Sequence, residues 1–205
     1  MSRLVKTLTV AAGLAALSCS GASTTLVGTW RDPAYQARPV RSVLILAVTS
    51  DATRRMVFET AFQNKFKAYG IQPFPGSALF PPDSLPTRDE VLTVVKERNI
   101  DLVLVGRLVN VKTETAYVPP TAMYAPPPGY YGMYPYYSYG YGVAYSPGYV
   151  AEWTTIQVET NVYSVATEKL VWSAVSKTVD ATSPQDVTDG VANAVMEGLI
   201  VGKVL

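Results

Sequence analysis

The hydrophobic pattern of this chain changes period several times, and each change predicts an element. Leu26-Val27-Gly28-Thr29-Trp30 is a short strand candidate closed by Arg31-Asp32-Pro33. Proline cannot donate to a ladder, so this strand belongs at an edge or ends there. Ser42 to Thr49 is a continuous apolar run, the pattern of a strand covered on both faces. From Asp51 to Tyr69, Val57, Phe58, Ala61, Phe62, Phe66 and Tyr69 recur every three or four residues. That spacing predicts a helix with one apolar stripe, capped by Ser50 or Asp51, with Gly70 in place for a left-handed C′ residue. Ile71 to Phe74 is a short strand, and Pro75 to Pro86 a turn-rich connector.

Thr87-Arg88-Asp89-Glu90 has the capping-box spacing, and the helix it opens offers Val91, Leu92, Val94 and Val95 to a core before ending near Arg98-Asn99. Asp101 to Val111 reads as a second buried strand, which Lys112 to Val118 extends in a more polar, alternating pattern. Glu152 to Val165 alternates, with Ile156, Val158 and Val162 facing one way and Gln157, Glu159 and Asn161 the other. Lys169 to Val179 is its hairpin partner through Ala166-Thr167-Glu168. Ser183, Pro184 and Asp186 are a cap, an N1 proline and a first-turn acid for a last helix, whose stripe is Val187, Val191, Ala194, Val195 and Leu199. The order is β-β-α-β-α-β-(insert)-β-β-α. It predicts an α/β (α+β) domain over residues 26–205, a mixed β-sheet with helices packed on it, arranged as a two-layer sandwich, with a three-layer one as the lesser alternative.

The insert, residues 119–149, has neither period. Ten of the 14 tyrosines lie in it: Tyr124, Tyr130, Tyr131, Tyr134, Tyr136, Tyr137, Tyr139, Tyr141, Tyr145 and Tyr149. They are mixed with proline and glycine, and no charged residue occurs between Glu114 and Glu152. Three readings fit: a low-complexity hairpin tip, an adhesive loop for a protein or glycan partner, or a contact with the bilayer interface, where tyrosine is enriched. These ten tyrosines are the candidate interaction residues.

The amino terminus reads as an address. Arg3 and Lys6 precede an apolar run from Leu8 to Leu17, which is too short to cross a hydrocarbon core of roughly 30 Å as a helix. Ala16-Leu17-Ser18-Cys19 resembles a bacterial lipobox, with Leu at −2 where Leu at −3 is the common pattern. The resemblance implies a signal peptide over residues 1–18, cleavage before Cys19, lipidation of Cys19 including an acyl chain such as palmitate, and a tether over 19–25. By the sorting pattern of Gram-negative lipoproteins, Ser20 at +2 implies the outer membrane, with the domain facing the periplasm.

Composition narrows the chemistry. The chain has 205 residues, 17 basic and 16 acidic side chains, no histidine and one cysteine. A net charge of +1 leaves no basic face for nucleic acid. Without histidine there is no Ser-His-Asp or Cys-His pair, and a zinc site lacks ligands. No catalytic residue, cofactor or metal site is therefore expected. Carboxylates are the remaining acid/base groups. Glu114 and Glu152 flank the insert, and Asp180, Asp186 and Asp189 cluster near the last helix, where acids complement its dipole. Gly106 within a strand suggests close packing, and Trp153 with Trp172 suggests cross-strand packing.

These features together resemble a group of uncharacterised bacterial lipoproteins with a domain of unknown function. The resemblance rests on Thr29-Trp30-Arg31-Asp32-Pro33, on the strand and helix from Val43 to Gly70, and on the Gly/Pro/Tyr insert. Glu159-Thr160-Asn161-Val162-Tyr163 and Lys169-Leu170-Val171-Trp172-Ser173 complete it. Such proteins commonly carry Thr-Gly-Lys where this chain has Thr167-Glu168-Lys169, which suggests a different turn type. The layout is more remotely similar to CsgG and TolB amino-terminal type domains. The resemblance implies no catalytic residues. The expected function is a non-enzymatic, outer-membrane-anchored lipoprotein, a structural or assembly partner in the envelope that touches the membrane through Cys19. The alternatives are an oligomeric membrane-inserting assembly built on the hairpin around the insert, or a carboxylate-dependent envelope hydrolase.

Overall fold

The computed structural model describes residues 22–81, 84–118, 134 and 149–205. Residues 1–18, read from the sequence as a signal peptide, Cys19 and most of the tyrosine-rich insert lie outside the described residues. The elements are β1 (Ser23–Arg31), β2 (Ser42–Val48), α1 (Ala52–Ala68), β3 (Gln72–Pro75), a 3-10 turn (Gly76–Ala78) and α2 (Arg88–Glu97). They continue as β4 (Leu102–Val118), β5 (Tyr149–Ser164), β6 (Lys169–Val179) and α3 (Pro184–Val201). One six-stranded sheet holds them in the order β1-β6-β5-β4-β2-β3. β2 is parallel to β3 and β4, and the other neighbours are antiparallel. The mixed sheet and the expected element order are both present. Ser23 to Thr25, read from sequence as tether, already pair with β6. Likewise Tyr149, read as insert, is the first residue of β5.

Burial explains the sheet's two sides. Alternate residues of β2 enter different cores: Val43, Ile45 and Ala47 join α1 and α3, whereas Leu44 joins Phe80, Val95 and Ile100. α1 and α3 therefore lie on one face and α2 on the other. The expected two-layer sandwich is three-layered at the β2–β3 side, because β2 is apolar at every position from Val43 to Val48 and needs cover on both faces.

The predicted caps form. The Asp51 carboxylate accepts from the Arg54 backbone N–H, and Gly70 is left-handed (φ 73) after α1. Thr87 and Glu90 complete a reciprocal capping box. Ser183 caps α3 with Pro184 behind it. β1 ends where the Asp32 carboxylate accepts from the Ala34 N–H at 2.8 Å and the Asp32 N–H donates to the Val171 carbonyl at 3.0 Å. The Trp-Arg-Asp-Pro motif is thus a strand terminator. α3 approaches the sheet closely through glycines: a Cβ at Gly198 would stand 2.8 Å from Leu26 and 2.9 Å from the Trp172 ring.

Two sequence expectations are corrected. Trp172 is buried opposite Val162, whereas Trp153 stands opposite Glu114 far along β5, so the two tryptophans are not a cross-strand pair. Glu168 itself adopts the left-handed conformation (φ 52) that glycine takes without steric cost.

The α1 stripe also conceals a polar pair. Arg55 and Glu59 are both buried, at 3% and 0% exposure, and their Nε and Oε1 are 3.3 Å apart. The Glu59 carboxylate accepts from the Ala47 N–H (3.2 Å) and the Ser77 N–H (2.5 Å), and Arg55 Nη1 donates to the Pro81 carbonyl (2.9 Å).

Removing Glu59 strands a buried guanidinium and two backbone donors. Glu59→Ala should cost about 3–5 kcal/mol in urea unfolding. Glu168→Gly relieves a left-handed non-glycine residue and loses only an exposed ion pair to Arg88. It should stabilise the domain by about 0.5–1 kcal/mol, read as a rise in Tm.

Candidate functional site

One end of the sheet is built differently from the other. β2 pairs with β4 only as far as Val48 opposite Arg107, and β6 pairs with β5 only as far as Val179 opposite Thr155. β4 and β5 continue alone beyond those points to Val118 opposite Tyr149. The result is a two-stranded ribbon that projects past the body of the domain.

A bulge between Leu108 and Asn110 sets the ribbon's facing. The extra residue, Val109, reverses the alternation, so Leu108, Val111, Thr113, Thr115 and Tyr117 share the face that carries α1 and α3 lower down. The 3.2 Å contact between the Thr113 and Thr154 hydroxyls lies on that face. Without the bulge, Asn110 and Lys112 would occupy it.

α1 and α3 both begin at this end, and their first turns stand apart. Between them, over the ribbon's base, lies a groove of about 610 Å³. Its floor is Gly106, Leu108, Val111, Ile156 and Val158. One wall is Val48, Arg54, Val57 and Phe58, and the other is Ala181, Pro184, Val187 and Thr188. Gly106 is required here, because any Cβ would overlap the Phe58 ring laid across the strand. Close packing, not a phosphate cradle, explains this glycine. Val48, Leu108 and Val111 are 40–54% exposed, so the groove is open and apolar.

The rim's ionic groups already have partners. Arg54 pairs with Asp51 at 3.3 Å, and Arg107 pairs with Glu159. The Arg107 hydrogen bond, and then that of Asn161, hold the Glu159 carboxyl below its ordinary range. Asp186 accepts from the Thr182 hydroxyl and N–H, and its N–H donates to Ser183 at 3.1 Å. Those contacts, Thr182 first, lower the Asp186 pKa. Such a groove suits an uncharged apolar or aromatic group, with Ser and Thr hydroxyls at its edge.

Glu114 and Glu152, which flank the insert, do not come together as a pair. Glu114 stands opposite Trp153, whose Nε1 donates to it at 3.3 Å, while Lys112 pairs with it and lowers its pKa. Glu152 is opposite Thr115, on the other face of the ribbon, and exposed. The two carboxyls flank the insert in sequence and lie on opposite faces of the ribbon. Asp189 accepts from Gln185, and Asp180 occupies a left-handed turn (φ 57). No group of three or more carboxylate or cysteine side chains among the described residues could hold a metal ion. Nor, among those residues, is a helix long and apolar enough to cross a membrane, which leaves strands untested.

Of the candidate tyrosines, Tyr134 and Tyr149 are exposed at 78% and 63%. Cys19 and the other eight lie outside the described residues. The sequence reading missed Tyr117, Val111 and Val48. The doubled apolar step at Leu108-Val109 was the available signal, since a break in alternation inside a strand marks a bulge.

No family model and no curated protein matches the chain. Among solved structures it is similar to the PelC dodecamer from Paraburkholderia phytofirmans, at 15% identity and a TM-score of 0.44, over 85% of this chain and 94% of that one. It is also similar to lipoprotein GNA1162 from Neisseria meningitidis, at 13% identity and a TM-score of 0.41, over 78% of this chain and 99% of that one.

Asp186 gives the groove rim a pH dependence. Its folded pKa lies below the ordinary 3.8, so its contribution is fully present above that value and is lost as the pH falls through the lowered one. Asp186→Asn should therefore lower Tm at pH 7, and the difference from wild type should vanish under strongly acidic conditions.

Proposed function

We propose that this protein is a non-enzymatic, lipid-anchored lipoprotein of the outer membrane. Its αβ domain faces the periplasm and works by binding, as a structural or assembly partner in the envelope. The lipobox-like Ala16-Leu17-Ser18-Cys19 supports the anchor, and Ser20 supports the outer membrane.

The open apolar groove at the base of the projecting ribbon carries the binding reading. Half-exposed aliphatic side chains on a floor held by paired strands are a preformed apolar surface. The neighbouring acids are engaged as caps and ion pairs, which favours recognition over acid/base chemistry. Envelope partners that present an apolar or aromatic side chain, or the apolar face of a glycan, fit this chemistry.

Two measurements test the proposal. Metabolic labelling with an alkyne palmitate analogue should mark the wild type in the outer-membrane fraction, while Cys19→Ala should be unlabelled and soluble. The neutral probe N-phenylnaphthylamine should bind the domain saturably. Val111→Glu should weaken that binding about tenfold, which corresponds to about 1.4 kcal/mol. Val201→Glu, at the far end of α3, should leave it unchanged. Equal binding by both variants overturns the groove's role.

A further inference from the structure

The strand pairings bring together two features that are far apart in sequence. Ser23, the start of β1, stands opposite Val179 of β6. Val179 stands opposite Thr155 of β5, and Thr155 opposite Lys112 of β4. The end of β1 that leads back to Cys19 is therefore the end from which the β4–β5 ribbon projects. We infer that the ribbon's distal part, Thr115 to Val118 with Tyr149 to Ala151, docks on the surface of the bilayer that holds the anchor. This rests on lipidation of Cys19, as proposed above.

Lengths decide how deep the contact goes. From Cys19 to Ser23 a fully extended chain spans at most about 14 Å. From Lys112 to Val118 the ribbon advances about 20 Å at 3.3 Å per residue. β1 and β5 are two strands apart, and a twist of about 20–25° per strand reduces that advance to about 14 Å along the β1 direction. The greatest reach of the tether thus matches the level of the ribbon's described end. At that level Val118 and Tyr149 meet the headgroup region where the acyl chains enter.

The side chains fit that position. Tyr117, Tyr149 and Val150 are 64%, 63% and 65% exposed. No charged residue lies beyond Glu114 on β4 or before Glu152 on β5. Lys112 and Glu114 pair with each other, and the charge nearest the ribbon's end is the exposed Glu152 carboxylate opposite Thr115. Tyrosine beside uncharged small and apolar residues is the composition favoured at a membrane–water interface. A ribbon of two strands is only marginally stable alone in water, and a surface against one end offsets that weakness.

The mature lipidated protein has no free thiol, so single cysteines report cleanly. Tyr117→Cys, Val150→Cys and, at the opposite end, Lys203→Cys are labelled with an environment-sensitive nitrobenzoxadiazole dye. The lipidated proteins are then bound to phosphatidylethanolamine–phosphatidylglycerol vesicles. The dye at positions 117 and 150 should brighten at least twofold, shift to the blue, and be quenched by nitroxide at headgroup depth. The dye at 203 should do none of these. Vesicle flotation with solvent-like dye at 117 and 150 overturns docking and leaves the anchor intact. Failure to float overturns both. Brightening without nitroxide quenching, accompanied by energy transfer between labelled copies, overturns docking in favour of a contact between two copies of the chain.

Discussion

The Glu59 carboxylate touches three parts of the chain at once: the end of β2 through Ala47, its own helix through Arg55, and the 3-10 turn after β3 through Ser77. Arg55 extends the cluster to the Pro81 carbonyl. Charges this deep are tolerated only when their donors and acceptors are met locally. The pair therefore fixes the roll of α1 on the sheet and the path of the connector that carries the chain to the opposite face. With α1 held this way, Phe58 lies across Gly106, and Val57 and Arg54 line the groove.

The remaining geometry follows from which strand ends the helices leave. α1 starts after β2 and α3 after β6, and both strands finish at the ribbon end of the sheet. The two helices run parallel, back across the same face, and their opposite ends meet near Ala68, Tyr69, Ile200 and Val201. Their first turns diverge and leave sheet uncovered between them. The groove is thus a product of topology, floored by β4 and β5 because only those strands continue. The Val109 bulge keeps that floor apolar by turning Val111 inward and Lys112 outward.

Much of this was legible in the sequence because the local signals agree with one another. The caps at Asp51, Thr87 and Ser183, the left-handed Gly70 and the alternation from Ile156 to Val162 each rest on contacts within a few residues. Arg55 and Glu59 were not legible. At i,i+4 on a helix they have the spacing of a solvated ion pair, and only the backbone donors of β2 and the connector make burial tolerable. That Glu114 and Glu152 face opposite ways was not legible for a related reason. Proximity across a hairpin is readable from spacing, but facing depends on register, and a one-residue step moves a side chain to the other side. α2 was placed correctly along the chain and left without a face, since an amphipathic stripe does not say which side of a sheet it covers.

The sequence by itself determined the elements, their order and their caps, because these depend on periodicity and on short-range hydrogen bonding. It also located the uncharged, tyrosine-rich stretch. Only the tertiary structure decided that helices cover both faces, that a groove opens between two helix starts, and that the carboxylates flanking the insert point apart. It alone decided that the amino-terminal end of β1 and the projecting ribbon share one end of the molecule. The physical reason is that these relations pass through strand pairings between distant segments. Hydrogen bonds between backbones carry no side-chain pattern that announces their partner.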